Sequence, residues 1–246
     1  MPIKTYLTPA EIQAMIEWPD NLRDRLILSF YGDTGCRASE LLKLKVENLD
    51  LENRLVMIPH LKRGIKKKCP GRPGYGDGRP CGRMAGKNTP FCSRCGADLS
   101  AVQAEGIEER NRLISIGETT AELFREYTKE MDQGDQIITI SRQQVYNLVR
   151  AAAAGIGIKG KALTNPETGK KHFPHPHNFR DSLAVSWLEV AATDAGKQKA
   201  LQEHLGHKNF ETTMGYNKLT PGKVQEVSNE VRQMRFAKLK EGEEAE

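Results

Sequence analysis

Apolar residues along the chain recur mostly at helical spacing, and helix-start chemistry marks where each run begins. Thr8-Pro9-Ala10-Glu11 is a capping box with proline at the first helical position, which predicts a helix to about Glu17. A second helix is predicted after Asp20, burying Leu22, Leu26 and Phe30 and ending near Gly32 and Gly35; a short one follows through Ser39, Glu40, Leu41 and Leu42. Residues 54–59 (RLVMIP) and 113–116 (LISI) read as strands of a hairpin. Helical spacing returns over 119–131, and a short apolar stretch over 136–140 precedes Ser141-Arg142-Gln143-Gln144, a second capping box that opens a helix to Ala154. A break rich in Gly and Lys covers 155–169, with a turn at Asn165-Pro166-Glu167-Thr168-Gly169. Helices are then predicted over 178–190 and 198–205, with a short piece at 212–216 and a final helix from Pro221 to about Lys240.

Strands are few and short, so the expected class is α+β, mainly α, with a small antiparallel sheet. The length of 246 residues suffices for a sizeable core. No apolar run approaches the ~18 to 20 residues that span a bilayer, and the N-terminus has no signal-peptide pattern. A soluble cytoplasmic protein with no membrane partner is therefore expected.

Charge is uneven. The net is +5, yet residues 54–94 carry 11 Lys or Arg against one acid, Asp77, so the remainder of the chain is net negative. A basic segment of this kind is either a solvated loop or a contact for a polyanion, with nucleic acid the foremost candidate. Four of the five cysteines, Cys69, Cys81, Cys92 and Cys95, lie in or beside it. Cys92-Ser93-Arg94-Cys95-Gly96 has the form of a zinc knuckle, in which a tight turn aims two thiolates at one metal. Cys69 and Cys81 are spaced more loosely across a Gly- and Pro-rich stretch. So little apolar content needs something to fold around, and a structural Zn2+ on four thiolates would supply it. Disulfides are disfavoured because nothing indicates secretion. His60 could replace one cysteine, though a core or surface histidine is its more ordinary role.

Breaking and remaking a DNA phosphodiester requires a nucleophile that stores the bond covalently, guanidinium groups on the non-bridging oxygens and an acid for the leaving 5'-oxygen. Arginine suits the phosphate because its planar fork donates two parallel hydrogen bonds and keeps its charge. The chain contains Thr34-Gly35-Cys36-Arg37-Ala38-Ser39-Glu40-Leu41-Leu42, then His177-Asn178-Phe179-Arg180, then Leu205-Gly206-His207 with Tyr216 nine residues beyond that histidine. In order and spacing these resemble the tyrosine recombinase, or phage integrase, family, from about Leu7 to Tyr216. Each piece alone has a plainer reading: Arg37 as a surface arginine paired with Glu40, His177 as a turn residue, His207 as a helix cap, Tyr216 as a half-buried aromatic. Four elements in the right order carry the resemblance together.

The resemblance implies that Arg37 and Arg180 bind the scissile phosphate. It makes His177 a phosphate ligand able to accept the tyrosine proton, His207 a further support and Tyr216 the nucleophile of a 3'-phosphotyrosyl link. Glu40 falls where the family has a bracing acid. The general acid is a lysine on the hairpin between the two arginines; Lys62 fits best and Lys66 second, with Arg63, Lys66, Lys67 and Lys68 as DNA contacts. Neither a catalytic metal nor ATP is implied. Asp181 departs from the pattern, since the family often has a second histidine there, and Cys36 stands where an apolar residue is usual and reads as core.

The expected organisation is a catalytic domain over 1–240, interrupted within its hairpin by a basic, four-cysteine, zinc-knuckle-like insertion over 66–98. An acidic tail over 241–246 is expected to fray, and no DNA-clamping domain precedes the catalytic pattern. Val224, Val227, Val231 and Met234 form one apolar stripe, suited either to the chain's own core or to a neighbouring copy. The partners implied are double-stranded DNA and further copies, monomeric in solution and tetrameric on a nucleoid-associated substrate. Strand exchange for a mobile element is the leading function. The alternatives are chromosome-dimer resolution of the Xer type, supercoil relaxation like a type IB topoisomerase, and a catalytically idle DNA-binding module.

Overall fold

The computed structural model describes residues 3–59, 66–76, 81–86, 88–103, 111–191, 194–207 and 209–216. The chain divides into two compact units, residues 1–58 with 112–246, and residues 59–111. In chain order the elements are α1 (Pro9–Glu17), α2 (Leu22–Thr34), α3 (Ala38–Leu41), β1 (Leu49–Asp50) and β2 (Leu55–Ile58). The second unit then contributes β3 (Lys66–Lys68) and β4 (Met84–Gly86). The first resumes with β5 (Arg112–Ser115), α4 (Glu118–Thr128), α5 (Arg142–Gly155), β6 (Leu163–Thr164), β7 (Lys171–His172), α6 (Pro176–Ala191), α7 (Ala195–Leu205) and α8 (Phe210–Met214). No helix among the described residues is long and apolar enough to cross a membrane.

The core of the first unit forms around α2, whose residues Leu26, Ile27, Leu28, Ser29, Phe30 and Tyr31 are all buried. A helix buried all round needs a partner on every side. Phe30 meets Phe124 of α4 edge to face at 5.4 Å, Tyr31 meets Phe179 of α6 at 5.8 Å, and the Ser29 hydroxyl shares a 2.7 Å hydrogen bond with Thr120 of α4. Both capping boxes form: Thr8 Oγ1 accepts from Glu11 N and Ser141 Oγ accepts from Gln144 N. The predicted hairpin strands pair antiparallel, Leu55 opposite Ser115 and Ile58 opposite Arg112, and β1 completes a three-stranded sheet in the order β1-β2-β5.

Several boundaries differ from the sequence reading or sharpen it. Helix α2 continues through Gly32, where the missing side chain lets Ile16 of α1 approach, and stops at Gly35. Helix α7 begins three residues early because Asp194 accepts a hydrogen bond from Lys197 N and caps it. The first hairpin strand is shorter, since Arg54 sits at φ 55° in the turn before β2. Within the predicted break, β6 and β7 form a two-residue hairpin around the Asn165 turn, whose side chain accepts from Glu167 N and Thr168 N. The final helix with its apolar stripe, the acidic tail, His60, Lys62 and Arg63 lie outside the described residues.

Helix α4 starts at Gly117, which has no side chain to cap it, and Asp33 from the last turn of α2 takes over. Its Oδ2 accepts from Gly117 N at 2.7 Å and from Thr120 Oγ1 at 2.6 Å. A carboxylate at a helix N-terminus both satisfies orphan N–H groups and complements the helix dipole. Asp33→Ala should therefore lower the unfolding free energy by about 1–2 kcal/mol, read as a lower urea midpoint at unchanged slope.

Candidate active site and metal centre

Arg180 is the largest fully enclosed side chain, at 0% exposure. Its Nη1 donates to the Gly35 carbonyl at 3.1 Å and its Nη2 to the Leu205 carbonyl, so the C-terminal ends of α2 and α7 both converge on it. Those ends carry the negative poles of the helix dipoles and compensate the buried charge. Two glycines leave room here, Gly35 for Arg180 and Gly206 for Arg112. Gly35 sits at φ 54°, and a Cβ there would lie 3.0 Å from Arg180 Cα. Gly206 sits at φ 66°, and a Cβ there would lie 3.1 Å from Arg112 Nη1.

Glu40, 1% exposed, anchors the other guanidiniums. Arg112 grips it in a two-pronged pair, Nη1 to Oε1 at 3.0 Å and Nη2 to Oε2 at 2.7 Å, while Arg37 adds Nη1 to Oε1 at 2.9 Å and its backbone N–H to Oε2 at 2.8 Å. Burial works to raise the Glu40 pKa, but the hydrogen bonds and charge of Arg112, then of Arg37, overcome it and hold the carboxyl at about 2. Arg37 keeps its side chain 37% exposed and shares with His177, Ser39, Arg142 and Tyr146 the wall of a cleft of about 160 Å³.

Tyr216 packs against the small apolar cluster of Ala184, Leu188, Leu201 and Leu205 between α6 and α7. The Arg180 guanidinium is near enough to its hydroxyl to draw the Tyr216 pKa down. Its ring stacks on His207 with centroids 5.8 Å apart, and His207 Nδ1 in turn pairs with the buried Thr213 hydroxyl at 3.0 Å. Burial raises the Tyr216 pKa and the Asp181 charge adds to that, whereas Arg180 and Arg37 draw it down. His207 is pushed down to about 4 by burial and by Arg180 and Arg37. His177 is pushed to about 4 by desolvation and the same two charges; with its side chain 53% exposed, the charges are the firmer cause. At neutral pH both imidazoles are uncharged and can accept a proton. The pattern Leu205-Gly206-His207 thus has one task per residue, a carbonyl for Arg180, space for Arg112 and a ring for Tyr216.

The sequence matches the Phage integrase family over residues 5–71 and 97–223. The chain belongs to that family. The tyrosine recombinase XerD of Bifidobacterium longum is 28% identical over 203 residues, covering 82% of this chain and 52% of the relative. The tyrosine recombinase XerA of Pyrococcus horikoshii is 26% identical over 221 residues, covering 90% and 59%. The chain spans about half the length of the curated relatives it matches. Its fold is similar to the crystal structure of XerA recombinase (TM-score 0.57, 20% identity, 94% of this chain and 66% of the other). It is also similar to that of XerH site-specific recombinase bound to difH substrate (TM-score 0.53, 18% identity, 87% and 50%).

This integrase-family chain therefore gathers Arg37, Glu40, His177, Arg180, His207 and Tyr216 into one place. Cys36 beside them is 1% exposed, as a core residue would be. The sequence reading missed Arg112. It stands 72 residues from Glu40 at the start of a strand, and no local spacing links the two; the one signal was a basic residue opening an otherwise apolar strand. Among the lysines, Lys66 and Lys68 are exposed on β3, whereas Lys67, expected to contact DNA, donates its Nζ to the Leu99 carbonyl at 2.7 Å.

The family match leaves out residues 72–96, which hold three of the four clustered cysteines. Within the second unit, β3 pairs with β4 and a small core forms from Cys69, Cys92, Cys95, Ala97 and Leu99. The four sulfurs lie within 4.8 Å of one another, with Cys69 to Cys95 at 3.4 Å and Cys81 to Cys92 at 3.8 Å. A tetrahedron of thiolates at the usual Zn–S length has edges of about 3.8 Å, so the donor set and its spacing fit Zn2+. Two knuckle turns point backbone N–H groups at sulfur, Gly71 at Cys69 and Arg94 at Cys92, each at 3.4 Å. The N–H groups of Arg94 and Cys95 push the Cys92 thiol down to about 6; burial and the neighbouring sulfurs push Cys69 up to about 12 despite the Gly71 N–H. Four crowded thiols cannot all ionise unless a cation joins them.

Glu40 yields a pH prediction. Its folded pKa lies below the ordinary value of 4.5, so its stabilisation is complete above that value and is lost as pH falls through about 2. In acid titrations of unfolding free energy, Glu40→Gln should lose less stability between those limits than the wild type does. Its neutral-pH stability should be lower by about 3–5 kcal/mol, because Arg112 is left buried without its counter-charge.

Proposed function

We propose that the chain carries out site-specific DNA strand exchange with Tyr216 as the nucleophile. The observation that supports this most directly is the set of groups around Tyr216: His207 stacked on its ring, and Arg180 and Arg37 near enough to its hydroxyl to draw its pKa down. The scissile phosphate docks its non-bridging oxygens on the open edge of Arg37 and on Arg180, with His177 and His207 as further hydrogen-bond partners. Tyr216 Oη passes its proton to His177 and bonds to phosphorus as the P–O5' bond breaks. The 5'-oxygen takes a proton from a lysine, Lys62 or, second, Lys66. The 3'-phosphotyrosyl link conserves the phosphodiester energy, and the 5'-hydroxyl of a partner duplex reverses the step. Two duplexes exchanged strand by strand call for four copies of the site, hence a tetramer on double-stranded DNA built from monomers. Integration of a mobile element is the use we assign to it.

Cys69, Cys81, Cys92 and Cys95 hold a structural Zn2+ in this reading, and the ion supplies the second unit with the core its sparse apolar residues cannot build. The exposed Lys66 and Lys68 then stand on a rigid support able to press on DNA backbone.

Tyr216→Phe should abolish covalent protein–DNA product on a nicked suicide substrate while DNA affinity stays within about twofold of wild type, since one hydroxyl is removed from a large charged interface. Undiminished trapping, or a trapped peptide lacking residue 216, would rule out the assignment. Purified protein should contain about one equivalent of zinc by metal analysis, and the double substitution Cys92→Ser with Cys95→Ser should remove it. Metal far below one equivalent in the wild type would refute the centre.

A further inference from the structure

We propose that Asp181 is a positioning residue for strand cleavage, whose carboxylate holds His177 in the Nε2–H tautomer and leaves Nδ1 as the atom that accepts the Tyr216 proton. The proposal rests on the reading of His177 as that proton acceptor.

Asp181 lies one turn after His177 on α6, and its Oδ1 is 3.5 Å from His177 Nε2. That separation is long for a hydrogen bond, and in this proposal it shortens when substrate arrives, as long catalytic contacts in free enzymes do. The aspartate is itself held in place. Asn178, 1% exposed, accepts the His175 N–H on its Oδ1 at 2.9 Å, which fixes the orientation of its amide and turns Nδ2 toward Asp181 Oδ2 at 3.3 Å. A donor already occupies one carboxylate oxygen, so the other is the one that meets the imidazole. An ionised carboxylate only accepts, and an acceptor at Nε2 selects the tautomer with its proton there. The Asp181 side chain is 15% exposed against 53% for His177, so the buried partner orients the open one.

The charged and titratable groups that act with the aspartate are His177 and Arg180 on its own helix and Tyr216 after α8; Arg37 after α2 and His207 after α7 act in turn on His177. Tyr146 of α5 joins through its stack on His175, while His204 of α7 and Arg112 of β5 act on or beside Arg180. Burial pushes the Asp181 carboxyl up to about 7, against the pull of Asn178 and Arg180. Above that pH the carboxylate enforces the Nε2–H form. Below it the protonated carboxyl can donate to Nε2, and the selection fails.

Asp181→Asn turns this into a sharp test. Asn178 Nδ2 requires an acceptor, so the single oxygen of the substituted amide turns to it and the NH2 faces His177, which reverses the tautomer. Imidazole 15N NMR of the full chain without DNA, with His177 assigned by a His177→Gln control, should show Nε2–H at pH 8 in the wild type and Nδ1–H in Asp181→Asn. The wild type should drift toward a mixture by pH 6, and Asp181→Glu should keep the wild-type form. On the suicide substrate at pH 8, Asp181→Asn should cleave about 10²-fold more slowly, as for a silenced general base, with unchanged DNA affinity and partial recovery in Asp181→Glu. An unchanged tautomer in Asp181→Asn, or wild-type cleavage with the tautomer reversed, overturns the proposal. A reversed tautomer together with no covalent product from the wild type overturns the strand-exchange reading, and Asp181's part in it, while leaving the Asp181–His177 pairing established.

Discussion

The buried guanidinium of Arg180 is the constraint on which the first unit is organised. Removing such an ion from water costs several kcal/mol even after relaxation, and here backbone carbonyls at two helix ends provide the compensation. The C-terminal end of α2 must therefore reach α6 at Gly35, and the end of α7 must reach it at Leu205. A side chain at Gly35 would meet the α6 backbone at Arg180 and hold α2 and α6 apart. The docking of α2, α6 and α7 and the position of one arginine are a single geometric statement. Tyr216 enters the same arrangement by packing on the α6–α7 cluster, so its place depends on how those two helices dock.

Around that arginine, charge is distributed so that the site stays positive. Glu40 is the acid gripped by Arg112 and Arg37, and its two oxygens cannot neutralise three guanidiniums. The surplus acts on the histidines, which remain uncharged near neutral pH and so remain acceptors. It acts on Tyr216 as well, where Arg180 and Arg37 draw down a pKa that burial raises. An incoming phosphate would reverse part of this balance, because its negative charge favours protonated imidazole. The free site thus holds a proton acceptor ready, and substrate binding itself makes that acceptor more basic.

The helices α1 and α5 were the most legible because each carries its own start signal beside an apolar stripe. The capping boxes at Thr8 and Ser141 form as read, and the hairpin strands pair as placed. Errors fell where the decisive contact is distant or small. The β6–β7 hairpin has two residues per strand and draws support from Lys4, whose carbonyl accepts from Thr164 N across the chain. Gly32 reads as a helix end but serves a helix–helix approach. The site motifs were legible for the same reason as the helices, since Arg37 with Glu40 and His177 with Arg180 are three residues apart on single turns. Arg112 was invisible because its partnership with Glu40 is made only by the fold.

Arg112 also marks where the first unit resumes after the insertion. In the register of β2 and β5, Ile58 and Arg112 face each other, so the chain leaves and re-enters the first unit at one paired position. Everything between 59 and 111 closes a loop whose ends the sheet already holds together, and extending such a loop costs little, about 0.6 kcal/mol per doubling. What the insertion must supply is its own core. With Ala97 and Leu99 as its buried non-cysteine apolar residues among those described, it does so by bringing four sulfurs together. Residue 112 is fixed twice, by the strand ladder to Ile58 and by two hydrogen bonds to Glu40.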